Sequence, residues 1–481
     1  MDLDLMELDD ALTRIRSGPQ GPTVGAFFDF DGTIVHGFSG VPFFRHFVRA
    51  GRLTAREVAA TMMSGIRGGK TEADFARFID LALAGWRGYT EAELDAIGSR
   101  LFEKRIAGHL YPEAWQLIRA HERAGHTLAI ASSATRFQIE PTARAIGIQR
   151  VLCTQLEVED GVLTGRVTDR PMWRSGKAMA VKDYAAESGL DLASSYAYSN
   201  GGEDVGFLAL VGTPTAVNPD RVLSGAAAEN NWPILRFKPR GNTGPIRAAR
   251  TVGFFAGFAG GVAAAAAGGV KTRDHIRTRD KILANTGDYP LKLAGIDVSI
   301  SGAHNAVEPR PAVFIFNHQS ELDMFVLAKV LRGGFTGISK KEVATNPVFG
   351  PLFRYMGATF IDRQNTEKAK AALLPVVETL KGGLSIVISP EGTRSLTPTL
   401  GPFKKGAFHI AIQAGVPLIP IVIRNAGEML WRNGTALRSG TVDVAVLDPI
   451  DVTGWDPDDL NENVDTVRQL FVDTLANWPA K

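Results

Sequence analysis

Short apolar runs that end abruptly in polar turns recur along this chain. Val24 to Phe28 runs into Asp29-Phe30-Asp31-Gly32-Thr33, and Leu128 to Ala131 runs into Ser132-Ser133. Pro311 to Phe316 leads to Asn317-His318-Gln319-Ser320-Glu321-Leu322-Asp323, and the run from Leu384 to Ile388 leads to Pro390-Glu391-Gly392-Thr393-Arg394. Continuous apolar runs of this length bounded by turn residues predict buried strands. Between them Glu72 to Leu83, Glu91 to Phe102, Asp323 to Leu331 and Asn461 to Leu475 carry apolar residues at helical spacing. Strand, polar turn, helix, repeated in both halves, predicts an α/β fold, and in such folds the carboxyl ends of strands are where ligands bind.

The middle of the chain breaks the pattern. Thr251 to Val270 holds no charge, and ten basic residues from Arg236 to Lys281 surround it against only Asp274 and Asp280. That length reaches the threshold for crossing a bilayer, but its content is mostly glycine and alanine, which contribute little transfer energy. Basic residues on both sides give no inside-to-outside asymmetry, so a monotopic or re-entrant anchor on an anionic phospholipid surface is expected. The alternative is a buried glycine- and alanine-rich helix in a soluble core. Gly253, Gly257 and Gly261 fall on one helix face, where the neighbouring segment or a second copy of the chain, in a homodimer, can pack closely.

With 481 residues and 45% apolar composition the chain has room for two to four domains. The composition shift divides it into 1–235, a basic linker and anchor at 236–300, and 301–481. A net charge of +2 favours no polyanion, so no nucleic-acid partner is expected. The lone Cys153 excludes an internal disulfide. The acidic N-terminus, with Asp2, Asp4, Glu7, Asp9 and Asp10, lacks the basic and apolar regions of a signal peptide. A position on the cytoplasmic face of a membrane is therefore expected.

In an extended segment Asp29 and Asp31 point to the same side, so two carboxylates converge at a strand end. Such a pair can bind a hard cation, with one carboxylate attacking phosphorus and the other moving a proton. A calcium loop or a capped turn at Asp31-Gly32 would use the same residues differently. At His318 the residues again allow two readings. Asp323 can fold back to orient His318 as a general base, or Ser320 and Asp323 can form the capping box of the following helix.

The Asp29-Phe30-Asp31-Gly32-Thr33 stretch resembles the first motif of the haloacid dehalogenase superfamily of phosphatases, in its phosphoserine-phosphatase-like type IB branch. The resemblance continues through Ser132, Lys177 and Tyr196 to Asp204, and it implies a Rossmann-like domain with a helical cap at about 36–110. It implies that Ser132 holds the phosphoryl group, that Lys177 neutralises phosphate and nucleophile, and that Asp29, Asp31, Asn200 and Asp204 hold Mg²⁺. At Asn200 the family carries an acidic residue. An amide oxygen brings no charge, so weaker metal binding is expected.

The second half resembles the glycerolipid acyltransferases, in particular 1-acylglycerol-3-phosphate acyltransferases, through four ordered stretches: Asn317 to Asp323, Gly357 to Arg363, Pro390 to Ser395 and Val416 to Ile423. It implies a second α/β domain that acylates lysophosphatidic acid from acyl-CoA or acyl-ACP. Acyl transfer to an alcohol needs a base and an excluded-water site but no protein nucleophile, which fits His318 and Asp323. Arg363 and Arg394, with the Gly392 backbone, are placed to grip a phosphate, and the resemblance adds Glu391 and Thr393 to the acceptor site.

Overall fold

The computed structural model describes residues 5–67, 71–168, 171–238, 244–340, 344–347, 349–361, 373–432, 434, 436–457 and 459–479. They form two compact units, Met1–Gly241 and Asn242–Lys481.

In the first unit, strands β1 (Gly25–Phe28), β2 (Thr127–Thr135), β3 (Arg150–Thr154), β6 (Tyr196–Ser199), β7 (Thr213–Val217) and β8 (Ile234–Leu235) form one sheet in the order β3-β2-β1-β6-β7-β8. Every pairing in it is parallel. All four residues of β1 are buried, as the uninterrupted apolar run requires of a strand covered on both faces. Phe28 pairs with Ile130 and Tyr198, so Asp29, Ser132 and Asn200 all emerge at the carboxyl edge of three adjacent strands.

The chain leaves this core after Val35 and returns at Leu110, and the two residues pair across the neck. Between them lie the helices Gly40–Arg49, Ala55–Arg67, Glu72–Leu83 and Glu91–Leu101. Thr71 with Asp74 and Thr90 with Glu93 form reciprocal capping boxes, which fix where two of these helices begin. The hairpin of β4 (Leu156–Glu159) and β5 (Val162–Val167) braces this helical cap through Leu163, whose N–H donates to the Tyr89 carbonyl at 2.8 Å.

The second unit begins with two antiparallel helices, Pro245–Thr272 and His275–Ala294. A left-handed Arg273 (φ 55°) ends the first, and Asp274 caps the second by accepting the Arg277 N–H. Beyond them β9 (Ile296–Ser301), β10 (Val313–Phe316), β11 (Phe335–Lys340), β12 (Thr359–Ile361), β13 (Ser385–Ile388), β14 (Leu418–Ile423) and β15 (Gly440–Val446) make a sheet in the order β12-β11-β13-β10-β14-β15-β9. It is mixed, because β15 runs antiparallel to β14 while the other pairings are parallel. Strand β10 lies inside the sheet between β13 and β14. Its Phe314 and Phe316 join one apolar layer and its Val313 and Ile315 the other.

The glycine face of the helix Pro245–Thr272 is covered by the second helix of the same chain. A Cβ added at Gly257 would lie 2.8 Å from the Tyr289 carbonyl oxygen, and at Gly253 and Gly261 it would meet Leu293 and Asn285 at 3.2 Å. Of the two partners the sequence allowed for this face, the neighbouring segment of the same chain is the one packed on Gly253, Gly257 and Gly261. The helix is long and apolar enough to cross a membrane, with a mean hydropathy of 1.5 in its most apolar stretch. Ile246, Val252, Phe255 and Val270 on its outer side are more than half exposed, so it is not the buried core helix of the alternative reading.

Candidate active sites

In the first unit the buried ammonium of Lys177 joins two carboxylates. Its Nζ lies 2.8 Å from Asp29 Oδ1 and 2.6 Å from Asp204 Oδ2. Burial works to lower the Lys177 pKa, and the Asp204 and Asp29 carboxylates outweigh it, holding the group above its ordinary value and cationic. Asp29 is pushed up to about 6 by burial, against the opposing pull of Lys177, and is a carboxylate at neutral pH. Asp31 is pushed up to about 7, again by burial. Its carboxylate accepts the Ser39 backbone N–H at 2.8 Å and the Ser39 hydroxyl at 3.0 Å. The two aspartates therefore differ in their partners, Asp29 being ion-paired with a buried cation and Asp31 hydrogen-bonded to Ser39. Ser132 is buried in the second half of β2, where the pairing with β3 shifts register, and its hydroxyl accepts the Ala134 N–H at 3.2 Å.

Asn200 stands between the two aspartates. With its amide nitrogen turned toward them it donates to the Asp31 carbonyl at 2.9 Å and to Asp29 Oδ2 at 3.3 Å. Gly32 (φ 84°) permits this approach, because a Cβ there would meet the Asn200 amide at 2.2 Å. Rotated by half a turn, the amide presents its oxygen beside the same two groups. Asp29, the Asp31 main-chain carbonyl and Asn200 are thus the oxygen donors that fit Mg²⁺, with one formal charge among them. Two of the expected metal ligands have other partners. The Asp31 side chain is held by Ser39, while its main-chain carbonyl faces Asn200. Asp204 is engaged by Lys177 and by the Ser199 hydroxyl at 2.5 Å, which fixes the lysine.

In the second unit His318 follows β10 directly. Its Nδ1 lies 2.7 Å from Asp323 Oδ2, the first residue of the helix Asp323–Leu331. The same oxygen accepts the N–H groups of Gln319 at 2.7 Å and Ser320 at 2.9 Å. Asp323 is fully buried while the His318 side chain is 23% exposed. With Nδ1–H donated to Asp323, the Nε2 lone pair is left for a substrate hydroxyl. Only half of the expected capping box forms: Asp323 Oδ2 accepts the Ser320 N–H beside His318, while the Asp323 N–H goes to the Ser320 main-chain carbonyl and not to its hydroxyl. The Ser320 hydroxyl turns elsewhere, donating to the Leu430 carbonyl.

Glu391 is expected to touch the acceptor, but the structure gives its carboxylate other work. Oε1 accepts the His318 N–H at 2.8 Å, and Oε2 accepts the Ser395 hydroxyl and the Gly401 N–H, each at 2.8 Å. Burial raises its pKa, and these three donors oppose the rise. Ser395 closes the loop by donating its N–H to the His318 carbonyl at 2.8 Å. Gly392 adopts φ 73° in this turn, with the Lys404 side chain over it. Thr393 is exposed beside it. Arg394 forms an ion pair with Glu321, and burial together with the nearby Arg432 lowers its pKa. Asp362 and Arg363 lie outside the described residues.

Several residues that build these sites have no assigned role of their own in the sequence reading. Asn317 donates to the Ile423 carbonyl at 2.8 Å and accepts the Ile423 N–H at 2.7 Å, fastening the end of β10 to β14. Gln319 reaches the same carbonyl at 2.9 Å. Ser39, Ser395 and Arg432 are likewise brought in only by folding.

Two family models match the chain: haloacid dehalogenase-like hydrolase over residues 26–209, and acyltransferase over residues 297–424. A putative hydrolase of Mycobacterium leprae is 35% identical over 239 residues, covering 48% of this chain and 78% of that protein. Human 1-acyl-sn-glycerol-3-phosphate acyltransferase alpha is 37% identical over 181 residues, covering 37% of this chain and 64% of that protein. The chain thus spans just under two thirds of the length of the curated acyltransferases it matches. Among solved structures, the 1-acyl-sn-glycerophosphate acyltransferase of Thermotoga maritima is similar at a TM-score of 0.43 and 24% identity, over 49% of this chain and 98% of that one. The two family models define a chain with a hydrolase domain followed by an acyltransferase domain. The chain belongs to the haloacid dehalogenase-like hydrolases through its first unit, and its second unit carries the acyltransferase domain.

Proposed function

We propose that the second unit acylates lysophosphatidic acid to phosphatidic acid, drawing the acyl group from acyl-CoA or acyl-ACP at the cytoplasmic face of an anionic phospholipid membrane. The observation that carries this reading is the contact of His318 Nδ1 with Asp323 Oδ2 at 2.7 Å, which leaves Nε2 as the base. Nε2 takes the proton of the acceptor hydroxyl as its oxygen attacks the thioester carbonyl. Asp323 stabilises the imidazolium that forms. As the tetrahedral intermediate collapses, the carbon–sulfur bond breaks and the imidazolium returns its proton to the departing thiolate. The exposed apolar side of the helix Pro245–Thr272, with Arg247, Arg250, Lys271 and Arg273 at its ends, supports membrane association. Each such cation adds about 1 kcal/mol on an anionic surface.

For the first unit we infer a phosphomonoesterase. Asp29 attacks phosphorus, Lys177 and Ser132 hold the phosphoryl oxygens, and Asp31 supplies the proton for the leaving oxygen. Mg²⁺, held by Asp29, the Asp31 carbonyl and Asn200, would offset charge on the transferring group. A second reading, a domain that binds phosphate without turnover, is favoured by Asn200 alone, which removes one charge from the ligand set.

One experiment tests both units: purified protein incubated with mixed lysolipids, labelled acyl-CoA and Mg²⁺, followed by lipid mass analysis. Labelled phosphatidic acid supports the acceptor assignment, and label in a different lysophospholipid or glycolipid product overturns it. Hydrolysis of a phosphomonoester panel supports the phosphatase, and its failure across the panel leaves the binding-only domain.

A further inference from the structure

Arg432 lies on the segment that folds back onto the catalytic turn after β14. Its Nη1 donates to the Arg394 carbonyl at 2.6 Å, two residues after Leu430 receives the Ser320 hydroxyl. Arg394 precedes Ser395, whose N–H is bonded to His318, so both guanidinium-bearing residues belong to the wall beside the base. Three cationic side chains, Arg394, Arg432 and Lys404, meet two acids there, Glu321 and Glu391. Arg394 is paired with Glu321, and Lys404 covers Gly392 in the same turn. Among the described residues neither Arg432 nor Lys404 has an ion-pair partner. Bringing like charges together costs Coulomb energy that grows as water is excluded, and an arriving anion would relieve it.

We propose that Arg432 is a specificity-determining residue of the acceptor site, pairing with Arg394 to bind a phosphomonoester dianion beside His318. The inference rests on the acyltransferase reading above and adds to it a residue and a charge requirement. A phosphomonoester carries close to two negative charges at neutral pH and three acceptor oxygens, enough for two guanidinium forks. A phosphodiester headgroup carries one charge and cannot satisfy both, and a monoacylglycerol carries none. Glu321 acts as the counter-ion of Arg394 that the acceptor phosphate displaces.

The test compares wild type, Arg432→Gln and Arg432→Lys in the full chain, with lysophosphatidic acid and monoacylglycerol as alternative acceptors in mixed micelles. Arg432→Gln is expected to raise the KM for lysophosphatidic acid at least tenfold, with kcat kept within about threefold and monoacylglycerol acylation unchanged. Arg432→Lys is expected to recover part of the loss, because it restores the charge without the fork. An unchanged KM, or an equal loss with both acceptors, would overturn the proposal in favour of a purely structural bond to the Arg394 carbonyl. Equilibrium binding of glycerol 3-phosphate, measured in the Asp29→Asn, Lys177→Met background so that the first unit neither hydrolyses nor holds the phosphate, separates the two levels of inference. Binding weakened by Arg432→Gln in a protein that acylates neither acceptor would remove the acyltransferase reading and leave the anion site standing. Binding unaffected by Arg432→Gln would remove the anion site.

Discussion

Glu391 accepts the backbone N–H of His318 at 2.8 Å, so the acid of one sequence motif holds the main chain of another. Removing it leaves three donors unpaired, at a cost of about 1–3 kcal/mol for each that stays buried. Glu391→Ala is expected to lower kcat by about 10²-fold, with a smaller change in acceptor KM. A large KM change at constant kcat would instead place Glu391 on the acceptor, and steady-state kinetics with varied lysophosphatidic acid distinguishes the two.

His318→Ala is expected to bring acyl transfer to background while vesicle flotation still recovers the protein. A positioned base is worth about 10²–10⁴-fold, so the remaining transfer should fall within that range below wild type. Asp323→Asn should cost about as much, because a neutral amide does not stabilise the imidazolium that forms on His318.

Asn200→Asp is expected to tighten Mg²⁺ binding at least tenfold in calorimetric titration, because a second carboxylate joins Asp29 among the oxygen donors. It also removes the hydrogen bonds from the Asn200 amide to Asp31 and Asp29. The metal-free protein should therefore melt at a lower temperature than wild type, whereas the Mg²⁺-loaded protein should not. Equal Mg²⁺ affinity in the two proteins would show that residue 200 does not touch the metal.

A buried chain under the first site sets an acid limit on stability. The His126 Nε2–H donates to the Pro19 carbonyl at 2.8 Å, which leaves Nδ1 to accept from His121 Nδ1–H at 2.8 Å. His121 Nε2 then accepts the Tyr198 hydroxyl at 2.8 Å, and the Tyr198 ring stacks on Phe28 just before Asp29. Burial holds both histidines below their ordinary value of 6.5, His121 far below it. The unfolded chain therefore binds more protons than the folded one below pH 6.5, and stability falls as pH drops through that value. Thermal melting of the full chain should show this slope, and His121→Gln should flatten it.

The helical hairpin offers an internal comparison. A side chain at Gly257 meets the Tyr289 carbonyl at 2.8 Å, whereas one at Gly260 meets nothing within 4 Å. Gly257→Leu is expected to destabilise by about 1–3 kcal/mol through overpacking. Gly260→Ala should be neutral or stabilising by about 0.5–1 kcal/mol through helix propensity. Melting curves of both variants provide the check.

The local parts of both sites were legible because each lies within a few residues of its own strand. The run from Val313 to Phe316 ending at His318, with Asp323 five positions on, shows strand, turn and orienting acid in one reading frame. Asp29 and Asp31 share a side for the same reason of period. The helices from Glu72 and Glu91 are visible as apolar spacing, and the threonine that caps each is its neighbour in sequence.

Tertiary structure alone decided which oxygen of each acid does what. The Asp31 carboxylate went to Ser39 across the neck of the cap, Asp204 to Lys177, and Glu391 to the main chain of His318. Which helix covers the glycine face was decided by the left-handed turn at Arg273, which brings Tyr289 back against Gly257. Sequence period records how a residue sits on its own strand or helix, because backbone geometry fixes that locally. A hydrogen-bond partner many residues away leaves no such period, and it exists only once burial has removed the water that would otherwise have satisfied the same groups.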